Sequence, residues 1–215
     1  MDIADMKNVH VLDHPLLKHK ITKIRRVETQ TNEFREIVKE IAVIEGLEAL
    51  RELPTHDVEI QTPIEKTVQP VIDSDSLCFV PILRAGLGMV DGLLELVPGA
   101  HVGHLGMYRN EETHEPVEYF CKLPKNIADL DVYLLDPMLA TGGSGIDAVA
   151  SLYKHGVKKI HFLCIIAAPE GVETFHKKYP EVPLYIGALD RQLNENCYIC
   201  PGLGDAGDRI FGTLQ

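Results

Sequence analysis

The chain has 215 residues, 45% apolar and 25% charged, a length and balance that suit one α/β domain over residues 1–215 and exclude disorder as the main state. Its 21 Lys and Arg stand against 32 Asp and Glu, a net charge of −11, which argues against nonspecific binding to nucleic acid or anionic membrane, so an anionic substrate must meet a local basic pocket. No apolar run approaches the ~18 residues of a membrane span, and Met1-Asp2-Ile3-Ala4-Asp5 is acidic where a signal peptide is basic, so cytoplasmic residence is the expectation.

In chain order, Thr31 or Asn32 is placed to cap a helix whose apolar positions Phe34, Ile37, Val38, Ile41, Ile44 and Leu47 recur at three and four, until Leu53-Pro54 stops it. Val58 and Ile60 alternate with polar neighbours as in a half-exposed strand, whereas Leu77 to Leu83 is a continuous apolar run of the kind buried on both faces. A helix over Leu87 to Leu96 closes at Pro98-Gly99. Strands over Ala100 to Tyr108 and Val117 to Cys121 flank the polar stretch Arg109 to Pro116, which reads as an exposed hairpin and a candidate lid. A strand over Asp131 to Leu135, a helix over Gly145 to His155, a strand over Ile160 to Ala167, a helix over Glu170 to Lys178 and a strand over Leu184 to Leu189 follow. This alternation predicts an open, mostly parallel sheet with helices on both faces, in which ligands bind beyond the carboxyl ends of the strands. Arg84, Asp136 and Asp190 each follow a strand end, which gathers them on one rim.

The segment Val132 to Ser144 carries the strongest chemical signal. An apolar run ends in Asp136 and then turns through Pro137, Met138, Leu139, Ala140, Thr141, Gly142, Gly143 and Ser144 into a helix. Glycines admit an anion close to backbone N–H groups, Thr141 and Ser144 add hydroxyls, and the helix points its positive end at bound charge. The segment lacks the Gly-Lys-Ser/Thr ending of a nucleoside-triphosphate loop and the Gly-x-Gly-x-x-Gly of a dinucleotide site.

Asp136 to Ser144 resembles the phosphoribosyl-diphosphate loop of type I phosphoribosyltransferases, in the form typical of the uracil-specific branch. Three further blocks match that branch in the same order: Pro81 to Met89, Gly106 to Thr113, and Pro201 to Arg209. The resemblance runs from about His14 to Gly212 and implies the type I phosphoribosyltransferase fold with a β-hairpin arm and a uracil-binding hood. It also implies transfer of a phosphoribosyl group from phosphoribosyl diphosphate to uracil, giving UMP and diphosphate in pyrimidine salvage, with Mg²⁺ as cofactor. The wider superfamily usually has two adjacent acids where this chain has Leu135-Asp136, a departure that the uracil branch shares.

The resemblance also assigns roles. Asp136 holds the ribose hydroxyls while Ala140 to Ser144 wrap the 5-phosphate, with Pro137, Met138 and Leu139 in the same loop. Arg84 and Arg109 reach the diphosphate, Arg109 when the lid closes, and Asp205 faces phosphoribosyl diphosphate through Mg²⁺ and water. Tyr198, Ile199, Gly204, Asp205 and Ala206 form the uracil loop, reading two carbonyls and the imide donors with backbone groups. Arg84, Arg109, Asp136 and Asp205 are thus the candidate catalytic residues. Family members are commonly dimers or assemblies of dimers, and some respond to GTP, so homo-oligomerisation and a GTP effector belong to the same expectation.

Five scattered cysteines make no disulfide framework. Cys197 and Cys200 form a C-x-x-C without a second pair or paired histidines, which argues against zinc, although the pair can make the uracil loop sensitive to oxidation.

Overall fold

The computed structural model describes residues 3–109 and 116–213. Strand β1 (Val9–Val11) and helix α1 (Pro15–Arg25) precede α2 (Thr31–Ala49). Thr31 is the first helical residue of α2 and its cap is Gln30, which makes no side-chain capping bond, so neither Thr31 nor Asn32 caps this helix. The helix ends at Ala49 rather than reaching Pro54, with the Leu50 N–H turned back to the Gly46 carbonyl. The strand expected to be half-exposed is one arm of a hairpin, β2 (Thr55–Gln61) with β3 (Lys66–Ile72), paired antiparallel, and it is exposed on both faces, with only Val58 partly covered.

Beyond it come β4 (Leu77–Leu83), α3 (Leu87–Leu96), β5 (His101–Val102), β6 (His104–Arg109) and β7 (Pro116–Lys122). The strand expected from Ala100 onward is thus two strands separated at Gly103. A Cβ at Gly103 would sit 2.7 Å from the Leu123 side chain. Then follow β8 (Asp131–Leu135), β9 (Met138–Leu139), α4 (Gly143–Lys154), β10 (Lys159–Ala167), α5 (Pro169–Lys178), β11 (Leu184–Leu189), the short pair β12 (Gln192–Leu193) and β13 (Ile199–Cys200), and α6 (Ala206–Phe211).

The main sheet runs β1-β11-β10-β8-β4-β6-β7, with β5 on β4 and β9 on β10. Its pairs are parallel except β6 with β7. The continuous apolar run of β4 reflects burial on both faces: Leu77 and Phe79 enter a core with α1, α2 and α3, while Cys78, Val80 and Ile82 enter a second core with α4 and α5. In β8, Tyr133 and Leu135 divide from Val132 and Leu134 in the same way. The two layers of helices leave the carboxyl ends of β4, β8 and β11 on one rim, as the alternation of elements requires.

Candidate active site

The loop after β8 is bolted to the end of β10. The Asp136 N–H donates to the Leu163 carbonyl at 3.2 Å, the Pro137 carbonyl accepts from Ile165 and Ile166, and the Leu139 carbonyl accepts from Ala168 at 3.0 Å. The Leu139 side chain is buried in the core, so this residue faces the loop only through its backbone. Gly142, in the left-handed region at φ 86°, then turns the chain into α4, where Gly143 and Ser144 open the first turn. The loop rests on α5 at Gly171, where a Cβ would overlap the Ala140 carbonyl oxygen and lie 2.8 Å from that of Leu139.

Arg84 leaves the end of β4 after a cis Leu83–Arg84 peptide. Its side chain is 56% exposed, lies 3.4 Å from Asp208 Oδ1 and reaches over the Phe211 ring at 5.6 Å. The neighbouring glycines are packed closely against the chain. A Cβ at Gly86 would overlap the Leu135 carbonyl oxygen and lie 2.8 Å from Ile82 N, and at Gly88 it would press on Ile210 at 3.0 Å. Asp205 caps α6, its Oδ1 accepting from the Asp208 N–H at 2.8 Å.

These elements meet in one cleft of about 270 Å³ lined by Arg84, Ala85, Asp136, Met138, Asp205, Ala206 and Gly207. Larger hollows exist elsewhere, but this one joins the ends of β4 and β8 to the start of α6. Asp136 is half-buried there, and desolvation of its carboxyl raises its pKa to about 7; one hydrogen bond from the Met138 N–H, 3.4 Å long, opposes that rise. Ala140, Thr141, Gly142, Gly143 and Ser144 are not among the residues that line this cleft; the guanidinium of Arg84 and the carboxyl of Asp136 within it can hold a sugar and a charged leaving group.

Of the expected base-reading residues, Ala206 lines this cleft, and Gly204 lines an adjoining one with Arg25, Val27, Gly202 and Arg209; Asp205 borders both. Ile199 is buried, with its backbone paired to Leu193. Tyr198 is exposed, and the two adjoining clefts are lined without it. Arg109 ends β6 opposite Pro116. Its side chain and residues 110–115, the tip of the expected lid, lie outside the described residues. Sequence reading placed Asp190 on the rim, and Asp208 and Arg209 inside a matched block without a role, but missed Arg25, because no local pattern marks a partner so far along the chain.

The model of the uracil phosphoribosyltransferase family matches residues 11–213. A uracil phosphoribosyltransferase of Agathobacter rectalis is 58% identical over 208 residues, covering 97% of this chain and all of the relative; one from Streptococcus pneumoniae is 57% identical over the same span. A solved structure of a protein from Aquifex aeolicus superposes with a TM-score of 0.89 at 40% identity, covering 94% of this chain and 97% of that one. An adenine phosphoribosyltransferase from Trypanosoma brucei shares the fold alone, with a TM-score of 0.58 at 14% identity over 94% of this chain and 90% of that one. The chain belongs to the uracil phosphoribosyltransferase family.

Proposed function

We propose that this protein transfers the phosphoribosyl group of phosphoribosyl diphosphate to uracil, releasing UMP and diphosphate, in the cleft between Arg84, Asp136 and Asp205. The observation that carries the proposal is the convergence of these three residues from separate elements, in a chain matched to this family along nearly its whole length.

The reaction splits the anomeric carbon from diphosphate through an oxocarbenium-like state, so it needs two reactants aligned and growing negative charge stabilised. Asp136 holds the ribose hydroxyls, and the backbone from Ala140 to Ser144 takes the 5-phosphate at the start of α4. Arg84 forks onto the diphosphate, with Arg109 joining it from β6. The backbone of Ile199 and of Gly204 to Ala206, with Tyr198 beside it, receives the base. Pairing each base edge with a fixed backbone donor or acceptor penalises a base that presents the wrong group.

Among the described residues no cluster of three His, Cys, Asp or Glu can hold a metal. The donor set therefore fits Mg²⁺ carried by the substrate's own oxygens, with the Asp205 carboxylate as a partner through water. When bound, the ion neutralises diphosphate charge.

A homodimer or homotetramer, cytoplasmic residence and a GTP effector complete the proposal. The GTP effector rests on family membership, and cytoplasmic residence on family membership and the acidic composition; among the described residues no helix is long and apolar enough to cross a membrane. The β2–β3 hairpin supports self-association. Ile60, Ile64, Val68, Val71 and Ile72 are all exposed on it, and a two-stranded ribbon needs a packed face for stability. Formation of UMP and diphosphate from uracil, measured beside cytosine, hypoxanthine and orotate, tests the activity. Turnover of another base in preference to uracil would refute it.

A further inference from the structure

Asp190 follows β11 on the active-site rim, yet its carboxylate turns to the loop that carries the base-reading backbone. The side chain is 3% exposed. Its Oδ2 accepts from the Gly202 N–H at 2.8 Å and from Arg25 Nη1 at 2.8 Å, and its Oδ1 accepts from Arg25 Nη2. The same Arg25 Nη1 donates to the Gly202 carbonyl at 2.8 Å. Both backbone polar groups of Gly202 are therefore taken up by one ion pair. Gly202 stands at φ 68° just after the cis Cys200–Pro201 bond, and a Cβ there would overlap the Ile199 carbonyl oxygen.

One residue on, Arg209 Nη1 donates to the Leu203 carbonyl at 2.8 Å and to that of Ile24 at 2.6 Å, while its Nη2 donates to the Arg26 carbonyl at 2.6 Å. The turn is thus tied twice to the carboxyl end of α1. Desolvation offsets much of the attraction within a buried ion pair, so stability alone is a weak account of Arg25 and Asp190. A planar fork that touches a carboxylate and a carbonyl at once fixes orientation instead.

The residues set by that orientation are Gly204, Asp205 and Ala206, directly downstream. Backbone groups discriminate between bases only when held to within about 0.5 Å. We propose that Arg25, oriented by Asp190, is a positioning residue for base recognition, setting the affinity and selectivity for the base while phosphoribosyl diphosphate is held by the ends of β4 and β8. This rests on the uracil reading above.

Arg25→Lys keeps the charge and most of the stem but cannot fork. Its expected effect is a rise of about 10- to 100-fold in the uracil KM, with weaker rejection of cytosine. The kcat and the phosphoribosyl-diphosphate KM should stay within about twofold of the parent's. Asp190→Asn preserves the shape and an acceptor for the Gly202 N–H, so it should shift the uracil KM the same way by less, and it supplies the same split if the lysine variant does not fold. An unchanged uracil KM, or equal loss of affinity for both substrates, would overturn the proposal. Parent enzyme that turns over no uracil would refute the underlying reading instead, a result separable from either variant.

Discussion

Glu45 Oε1 fills the space above Gly187, where a Cβ would lie 2.6 Å from it and 2.7 Å from the Ile165 carbonyl oxygen. Glu45 is fully buried on α2, neither carboxyl oxygen has a hydrogen-bond partner, and desolvation pushes its pKa well above the ordinary 4.5. The folded protein therefore keeps a proton that the unfolded chain releases, so this residue's contribution is most favourable below pH 4.5 and is lost as pH rises toward the folded value. Replacing the unpaired carboxyl with an apolar group should raise stability. Glu45→Leu is expected to gain about 1–3 kcal/mol near neutral pH, or roughly 2–10 °C in Tm, and to flatten the fall in stability with pH. Thermal melts across pH check both.

Asp136 should make substrate use pH-dependent. With its pKa raised to about 7 by burial, the carboxyl is half protonated near neutrality, and only the carboxylate accepts from both ribose hydroxyls. The kcat/KM for phosphoribosyl diphosphate is expected to rise through an inflection near pH 7. Asp136→Asn should lose the inflection and about 100-fold in rate, as a pH profile of initial rates will read.

Arg109→Ala should lower kcat more than it weakens uracil binding, because a diphosphate contact matters most as the leaving group gains charge. A loss of about 100-fold in kcat with uracil affinity within about threefold is the expected split. Equal catalysis by the variant would remove Arg109 from the catalytic set.

Gly171 packs beneath the loop that leads into α4. Gly171→Ala would drive a methyl into the Ala140 and Leu139 carbonyls, so α5 or the loop must move. A rise of about tenfold in the phosphoribosyl-diphosphate KM and a loss of about 1–3 kcal/mol in stability are expected. Steady-state kinetics beside a melting curve will separate the two effects.

Elements with chemistry inside their own span were legible. The run from Leu77 to Leu83 reads as a doubly buried strand because its residues go alternately to the two cores. The glycines after Thr141 read as a turn from strand into helix because their chemistry is local, and α3 begins and ends where the periodicity predicts. Helix α1 is absent from the expected elements, although Leu17, Ile21 and Ile24 recur at the four and three spacing of a buried helix face.

By itself the sequence determined the alternation of strand and helix and the rim on which Arg84, Asp136 and Asp190 fall, because hydrophobic period and turn chemistry act over a few residues, and it carried the family in motif blocks that resemble it. Tertiary structure alone decided that Arg25 meets Asp190 across 165 positions, that Glu45 is sealed from water without a hydrogen-bond partner, and that burial raises the Asp136 pKa to about 7. Burial and ion pairing depend on the dielectric and the neighbours that folding assembles, and no spacing along the chain encodes those.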